Sequence, residues 1–137
     1  MSFSNAAETA VLQQVFNGTA LPWNANSNLW IALCTANPGE TATGASGLNE
    51  ATYGGYARVS VTRSTGFTVA SNQVSNSGLV QFAQCASGSN TITHCAILDS
   101  ASGAGNVVCY AALNTSIPVS TGIQPQFAAN ALTFQID

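Results

Sequence analysis

His94 is the only histidine in the chain, so proton transfer near neutral pH would have to run through it. The other charged groups are Glu8, Glu40, Glu50, Asp99, Asp137, Arg58 and Arg63. A Ser-His-Asp triad needs an activated nucleophile beside the imidazole. Such serines commonly sit on a G-x-S-x-G elbow, and the chain has none. His94 lies instead in the run TITHCAILD, where alternation puts Cys95 and Ile97 on one face and His94, Ala96 and Leu98 on the other. It reads as a histidine hydrogen-bonded within a strand or at an interface. The expectation is a protein that is not an enzyme, with no catalytic residues.

Metal and cofactor chemistry find no better footing. Zinc takes three or four N or S ligands at characteristic spacings. Cys34, Cys85, Cys95 and Cys109 form no C-x-x-C pair, and adjacent His94 and Cys95 point to opposite faces. Calcium wants clustered oxygens, and the carboxylates are scattered. No phosphate-binding or dinucleotide fingerprint is present, so no cofactor is expected. Cys34, Cys95 and Cys109 sit in apolar runs and read as small buried hydrophobes, with a disulfide kept as an alternative.

Three side chains remain as candidate contacts. Trp23, between Pro22 and Asn24, is the better aromatic for an exposed anchor, whereas Trp30 in LWIALCT reads as core. Arg58 and Arg63 are the only groups able to grip a carboxylate with two nitrogens. Glu50, eight residues before Arg58, offers an internal partner, and an interface contact is the rival use. Trp23, Arg58 and Arg63 are therefore the interface candidates.

The rest of the chain is poor in charge. Charged residues make up 5% of 137, there is no lysine, and the net charge is -3. Ser, Thr, Asn and Gln together supply 50 residues, so solubility rests on neutral polar groups and mutual repulsion is weak. Such a surface suits a subunit of an assembly. Two arginines make no basic stripe, which argues against nucleic acid and anionic membranes as partners. The start, MSFSN, lacks a basic region and an apolar run, so no secretory signal is expected. No stretch approaches the ~18 apolar residues of a membrane-spanning helix.

These residues must be positioned by a mostly extended chain. One helix is predicted over 5–17, capped by Asn5 with Glu8 completing a capping box and Gly18 ending it. Ala7, Val11, Leu12, Val15 and Phe16 fall on one face, expected to pack on the domain's own core or on a partner. Short strands follow: 29–35, 56–62, 67–69, 73–74, 79–82, 91–99, 107–113, 117–119, 126–127 and 132–136. A long surface loop is expected over 36–52, and 91–113 reads as a hairpin turning at 101–106. Pro118 and Pro125 place 117–127 at an edge or in a loop. The pattern predicts a single domain over 1–137, an all-β antiparallel β-sandwich over 29–136, jelly-roll-like, with one short N-terminal α-helix.

The order of motifs adds a resemblance. LWIALCTANPG at 29–39 is followed by Glu50, YGGYARVSV at 53–61, VQFAQ at 80–84, TITHCAILDSASGAGNVVCYAAL at 91–113, SIPVSTGIQPQF at 116–127 and ALTFQID at 131–137. This order resembles small β-rich tailed-phage virion proteins, some labelled capsid cement or decoration proteins and some tail-fibre-like. The resemblance implies a jelly-roll-like sandwich on the capsid exterior, made in the host cytoplasm. It implies the major capsid protein as partner, self-association as dimer or trimer, and no catalytic residues. The favoured expectation is a cement protein that bridges neighbouring capsid proteins against packaged-DNA pressure. The rival is a tail or tail-fibre structural protein that contacts the host.

Overall fold

The structure, a computed structural model, describes residues 2–136. Met1 and Asp137, counted above in the single-domain span, lie outside the described residues.

The expected helix forms over Asn5–Asn17, α1, but its cap is Ser4. Ser4 is extended (φ -72°, ψ 158°), and its hydroxyl accepts from the Ala7 N–H at 3.1 Å. That satisfies one of the helix's free donors. The same hydroxyl donates to the Val107 carbonyl, tying the helix start to the sheet. Asn5, the expected cap, is thereby the first helical residue. Gly18 ends the helix in the left-handed region (φ 68°), and its N–H returns to the Gln13 carbonyl.

A short strand that the sequence reading missed, β1 (Ser2–Phe3), precedes the helix. After it come β2 (Asn28–Cys34), β3 (Val59–Thr62), β4 (Phe67–Ala70), β5 (Gln73–Asn76) and β6 (Val80–Gln81). The chain ends with β7 (Ser89–Leu98), β8 (Val107–Ser120), β9 (Gln126–Phe127) and β10 (Thr133–Gln135). They form a five-stranded sheet in the order β1-β8-β7-β2-β3, a three-stranded sheet β10-β5-β4 and a pair β6-β9. All pairings are antiparallel. This is the expected all-β sandwich; a jelly-roll strand order is not established by these sheets.

The large sheet is covered on both faces, which explains the unbroken apolar run in β2. Ile31 and Leu33 of β2, with Ile92, Cys95 and Ile97 of β7, face Phe82, Phe127, Leu132 and Phe134 from the side of the smaller sheets. On the opposite face Ala32, Cys34, Ala96 and Leu98 meet Ala42 and Leu48. Those last two belong to the 36–52 segment, so the expected surface loop is a lid as well. The predicted hairpin is present, and β8 continues to Ser120, its register on β7 shifting between Ala112 and Ile117. Among the described residues, only β7 pairs with β8 beyond Tyr110. Pro118 therefore sits on an open edge, where its missing N–H costs no ladder bond.

Candidate functional site

Arg58 is placed at the start of β3 by the lid segment before it, and its guanidinium is enclosed. Nε donates to Glu50 Oε1 at 2.7 Å and Nη2 to Glu50 Oε2 at 2.9 Å, a two-pronged pair. Nη1 reaches the Ser100 carbonyl at 3.1 Å and its hydroxyl at 3.0 Å, and Nη2 reaches the carbonyls of Gly44 and Gly103 at 3.2 Å. The Arg58 side chain is 2% exposed. The bond to Glu50 holds its pKa above the ordinary value, against the opposing effect of burial.

The cluster continues inward. Tyr56 donates its hydroxyl to Glu50 Oε1 at 2.9 Å and accepts from the Leu33 N–H at 3.1 Å. Burial, reinforced by the Glu50 charge, pushes the Tyr56 phenol up, so it stays a donor. Arg58 thus joins the lid, the 99–106 turn and β2. Gly44 and Gly105 allow the lid and turn to meet: a Cβ on Gly44 would collide with the Gly103 carbonyl, and Gly44 N–H donates to the Gly105 carbonyl at 2.9 Å. The internal pair is what the structure shows; as an exposed interface contact, Arg58 is corrected.

Arg63 is half-buried and also turned inward. Its Nη1 donates to the carbonyls of Trp23 at 2.8 Å, Asn24 at 3.1 Å and Asn26 at 2.9 Å. It clamps the turn between α1 and β2. Trp23, expected as an exposed anchor, is buried against Ala7 and Ala10. Those two small residues, one helical turn apart, leave the room that the indole fills. Trp30, expected in the core, is only half-buried. Within the chain, Arg58, Trp23 and Arg63 lock the lid, the helix and the turn between them; Trp23 and Arg58 are buried and Arg63 is half-buried.

His94 is half-buried in β7, its Nδ1 2.8 Å from Thr93 Oγ1, and desolvation lowers its pKa. Among the described residues no three His, Cys, Asp or Glu side chains converge as a metal set. All four cysteines are free and buried. Burial pushes the thiols of Cys34 and Cys95 up to about 12 and raises Cys109 further, the opposite of an activated thiolate. A 570 Å³ groove lies along the far ends of β7 and β8, lined by Thr35, Asn90, Thr91, Pro118 and Ser120 among others, with no ionisable side chain. Hydrogen bonding is the chemistry these groups offer.

One surface feature was anticipated in sequence but not in direction. The helix presents Leu12, Val15 and Phe16 to solvent, at 57%, 66% and 78% exposure. Only Ala7 and Ala10 of the helix are buried. The apolar stripe, expected on the domain's own core or on a partner, is thus mostly turned outward.

A family model described as podophage GP4 fiber I protein gp80 matches residues 2–135. The chain belongs to that family. It is a phage structural protein of the virion, as the order of its motifs implied. A search of the curated proteins returned no match.

Proposed function

We infer that the chain is a structural subunit of a podophage fibre, holding its place by contacts with neighbours and without catalysis. The observation that carries this is the family match across nearly the whole chain, whose description names a fibre protein. It supports the fibre reading over capsid cement, the reading favoured from motif order.

The surface agrees with an assembly role. Arg58 is enclosed by acceptors within the chain, and Arg63 Nη1 holds three carbonyls of the turn after α1. Ser, Thr, Asn and Gln dominate the sequence, and neutral polar interfaces tolerate bridging water. The fibre reading raises the question of host sugars, which proteins often grip by stacking on exposed aromatics. Trp23, Tyr53 and Tyr110 are buried, and Trp30 and Tyr56 are half-buried. Phe16 is the exposed aromatic, but it continues an apolar helix face with Leu12 and Val15, which suits packing on a neighbour, so the proposed role is construction of the fibre and not recognition at its tip.

Antibody-gold labelling of intact particles tests this reading. Gold on the fibres, at a few copies per particle, is expected. Gold spread evenly over the shell, at a copy number comparable to that of the major capsid protein, returns the protein to cement.

A further inference from the structure

We infer that residues 37–49 of the lid are a cover that opens from the five-stranded sheet as one piece, unmasking Cys34 while the core between the sheets stays closed. The segment is bonded largely to itself. The Asn49 amide donates to the Asn37 carbonyl at 3.2 Å and closes the neck of the loop. Inside the loop the Gly39 N–H donates to Asn37 Oδ1 at 3.1 Å, and Thr43 and Ser46 exchange backbone bonds. Gly47 and Asn49 bring the chain back through the left-handed region, at φ 74° and 54°. A loop whose ends meet and whose bonds are internal keeps its shape when it moves.

Its attachments to the rest of the molecule are few. Among the described residues it meets other segments through isolated bridges, Thr43 with Asn106 and, at the neck, Cys34 with Glu50. Backbone bonds tie Glu40 to Asn5, Gly44 to Gly105 and Asn49 to Thr35. Pro38, Ala42 and Leu48 are its buried residues, and Ala42 and Leu48 are the two that sit on the sheet. Arg58 clamps the whole: it grips Glu50 at the neck, the Gly44 carbonyl in mid-loop, and Ser100 and Gly103 on the facing turn. When the loop lifts, the guanidinium keeps its acceptors on the turn and water reaches its remaining nitrogens, so no charge is left buried and unpaired.

The thiols lie on opposite sides of the large sheet. Cys34 belongs to the cluster under the lid, with Ala32, Ala96 and Leu98. Cys85, Cys95 and Cys109 belong to the cluster that faces the smaller sheets. Lifting the loop uncovers the first cluster and leaves the second packed. Such an opening frees few apolar side chains, so it costs less than unfolding the domain. Burial is the chief reason that the Cys34 thiol stands at about 12, and uncovering it restores a reactive group.

The test is slow alkylation of the full chain with iodoacetamide over days at mildly alkaline pH, in urea well below the unfolding midpoint, with each cysteine resolved by peptide mass spectrometry. Cys34 is expected to react first. Its rate should rise less steeply with urea than those of Cys95 and Cys109, because lifting the loop exposes less surface than unfolding does. Two variants separate the loop from the core. Gly44→Ala drives a Cβ into the Gly103 carbonyl and unseats the loop, so it should speed Cys34 labelling about tenfold or more. Phe134→Leu leaves a gap in the core between the sheets, so it should speed Cys95 and Cys109 and leave Cys34 as it was. The wild-type rates decide the matter by themselves where a variant does not fold. Equal rates with equal urea dependence at Cys34, Cys95 and Cys109 overturn the inference, as does a Cys34 rate that ignores Gly44→Ala or follows Phe134→Leu.

Discussion

Arg58 and Glu50 meet as a fork on a fork, Nε to Oε1 at 2.7 Å and Nη2 to Oε2 at 2.9 Å, with the arginine sealed from solvent and the glutamate a quarter exposed. In a chain with two cations, one has been committed to holding a lid on a sheet. The remaining guanidinium nitrogen contacts go to Ser100, Gly44 and Gly103, so the pair binds two segments that have no ladder of their own beyond single bridges.

Arg58→Ala is expected to destabilise the protein by about 3–5 kcal/mol, since it strands a partly buried carboxylate and several carbonyls. Arg58→Lys keeps the charge but loses the fork, and it should recover less than half of that. The midpoint of urea unfolding, with the slope unchanged, checks both.

Asn76 is the buried polar residue of the smaller sheet, 1% exposed. Its amide donates to the Gly78 and Ala128 carbonyls at 2.7 and 2.9 Å, and its oxygen accepts from the Leu132 N–H at 2.9 Å. Asn76→Asp replaces the donor with a second acceptor facing two carbonyls. A loss of at least about 2 kcal/mol is expected, larger than for a neutral buried group left unpaired at the low end. It should shrink as pH falls and the carboxyl regains a proton, which thermal melts at pH 7 and pH 4 would reveal.

Burial holds the thiols of Cys34 and Cys95 near 12, and Cys85 and Cys109 are buried as well. The folded protein at pH 8 is expected to react negligibly with a thiol-specific disulfide reagent. Four thiols should appear on unfolding in guanidinium, matching the four cysteines of the sequence. Fewer than four would mean that a disulfide had formed.

Desolvation lowers the His94 pKa below its ordinary 6.5, so the unfolded chain takes up a proton at a higher pH than the folded one. Stability from this group is complete above pH 6.5 and declines as pH falls below it. The wild type should lose stability as pH falls below about 6.5, ahead of most carboxylate titration, and His94→Gln should flatten that slope. Urea midpoints across this range decide it.

Ser4→Ala removes the hydroxyl that caps α1 and holds it to Val107. A cost of about 1 kcal/mol or somewhat more is expected, with helix signal lost before sheet signal on heating. Far-ultraviolet circular dichroism at two wavelengths separates the two.

The alternation of β7 across a covered sheet was legible in sequence, Cys95 and Ile97 against Ala96 and Leu98, whereas β2 was legible as a buried strand and its split of Ile31 and Leu33 from Ala32 and Cys34 came from the fold. So was the helix span, because its period and its terminal glycine are local signals. Direction was not legible. A stripe of Val11, Leu12, Val15 and Phe16 says that a helix has an apolar side, and only tertiary placement says whether that side looks in or out. The two tryptophans misled for the same reason. Trp30 shares a face with Ala32 and Cys34 but stands toward the end of the strand, where it is only half-covered. Trp23 lies in a polar neighbourhood of sequence, yet Ala7 and Ala10 leave a gap shaped for it. Arg58 was readable as a partner of Glu50, but its hold on the 99–106 turn depends on a long-range approach that spacing does not encode.

The central claim, that this phage structural protein is a fibre component, is met most directly by locating its density in cryo-electron microscopy of intact particles carrying a compact tag fused to the chain. Extra density on the fibres is the predicted result. Extra density repeated over the capsid lattice, with the fibres unchanged, would contradict it.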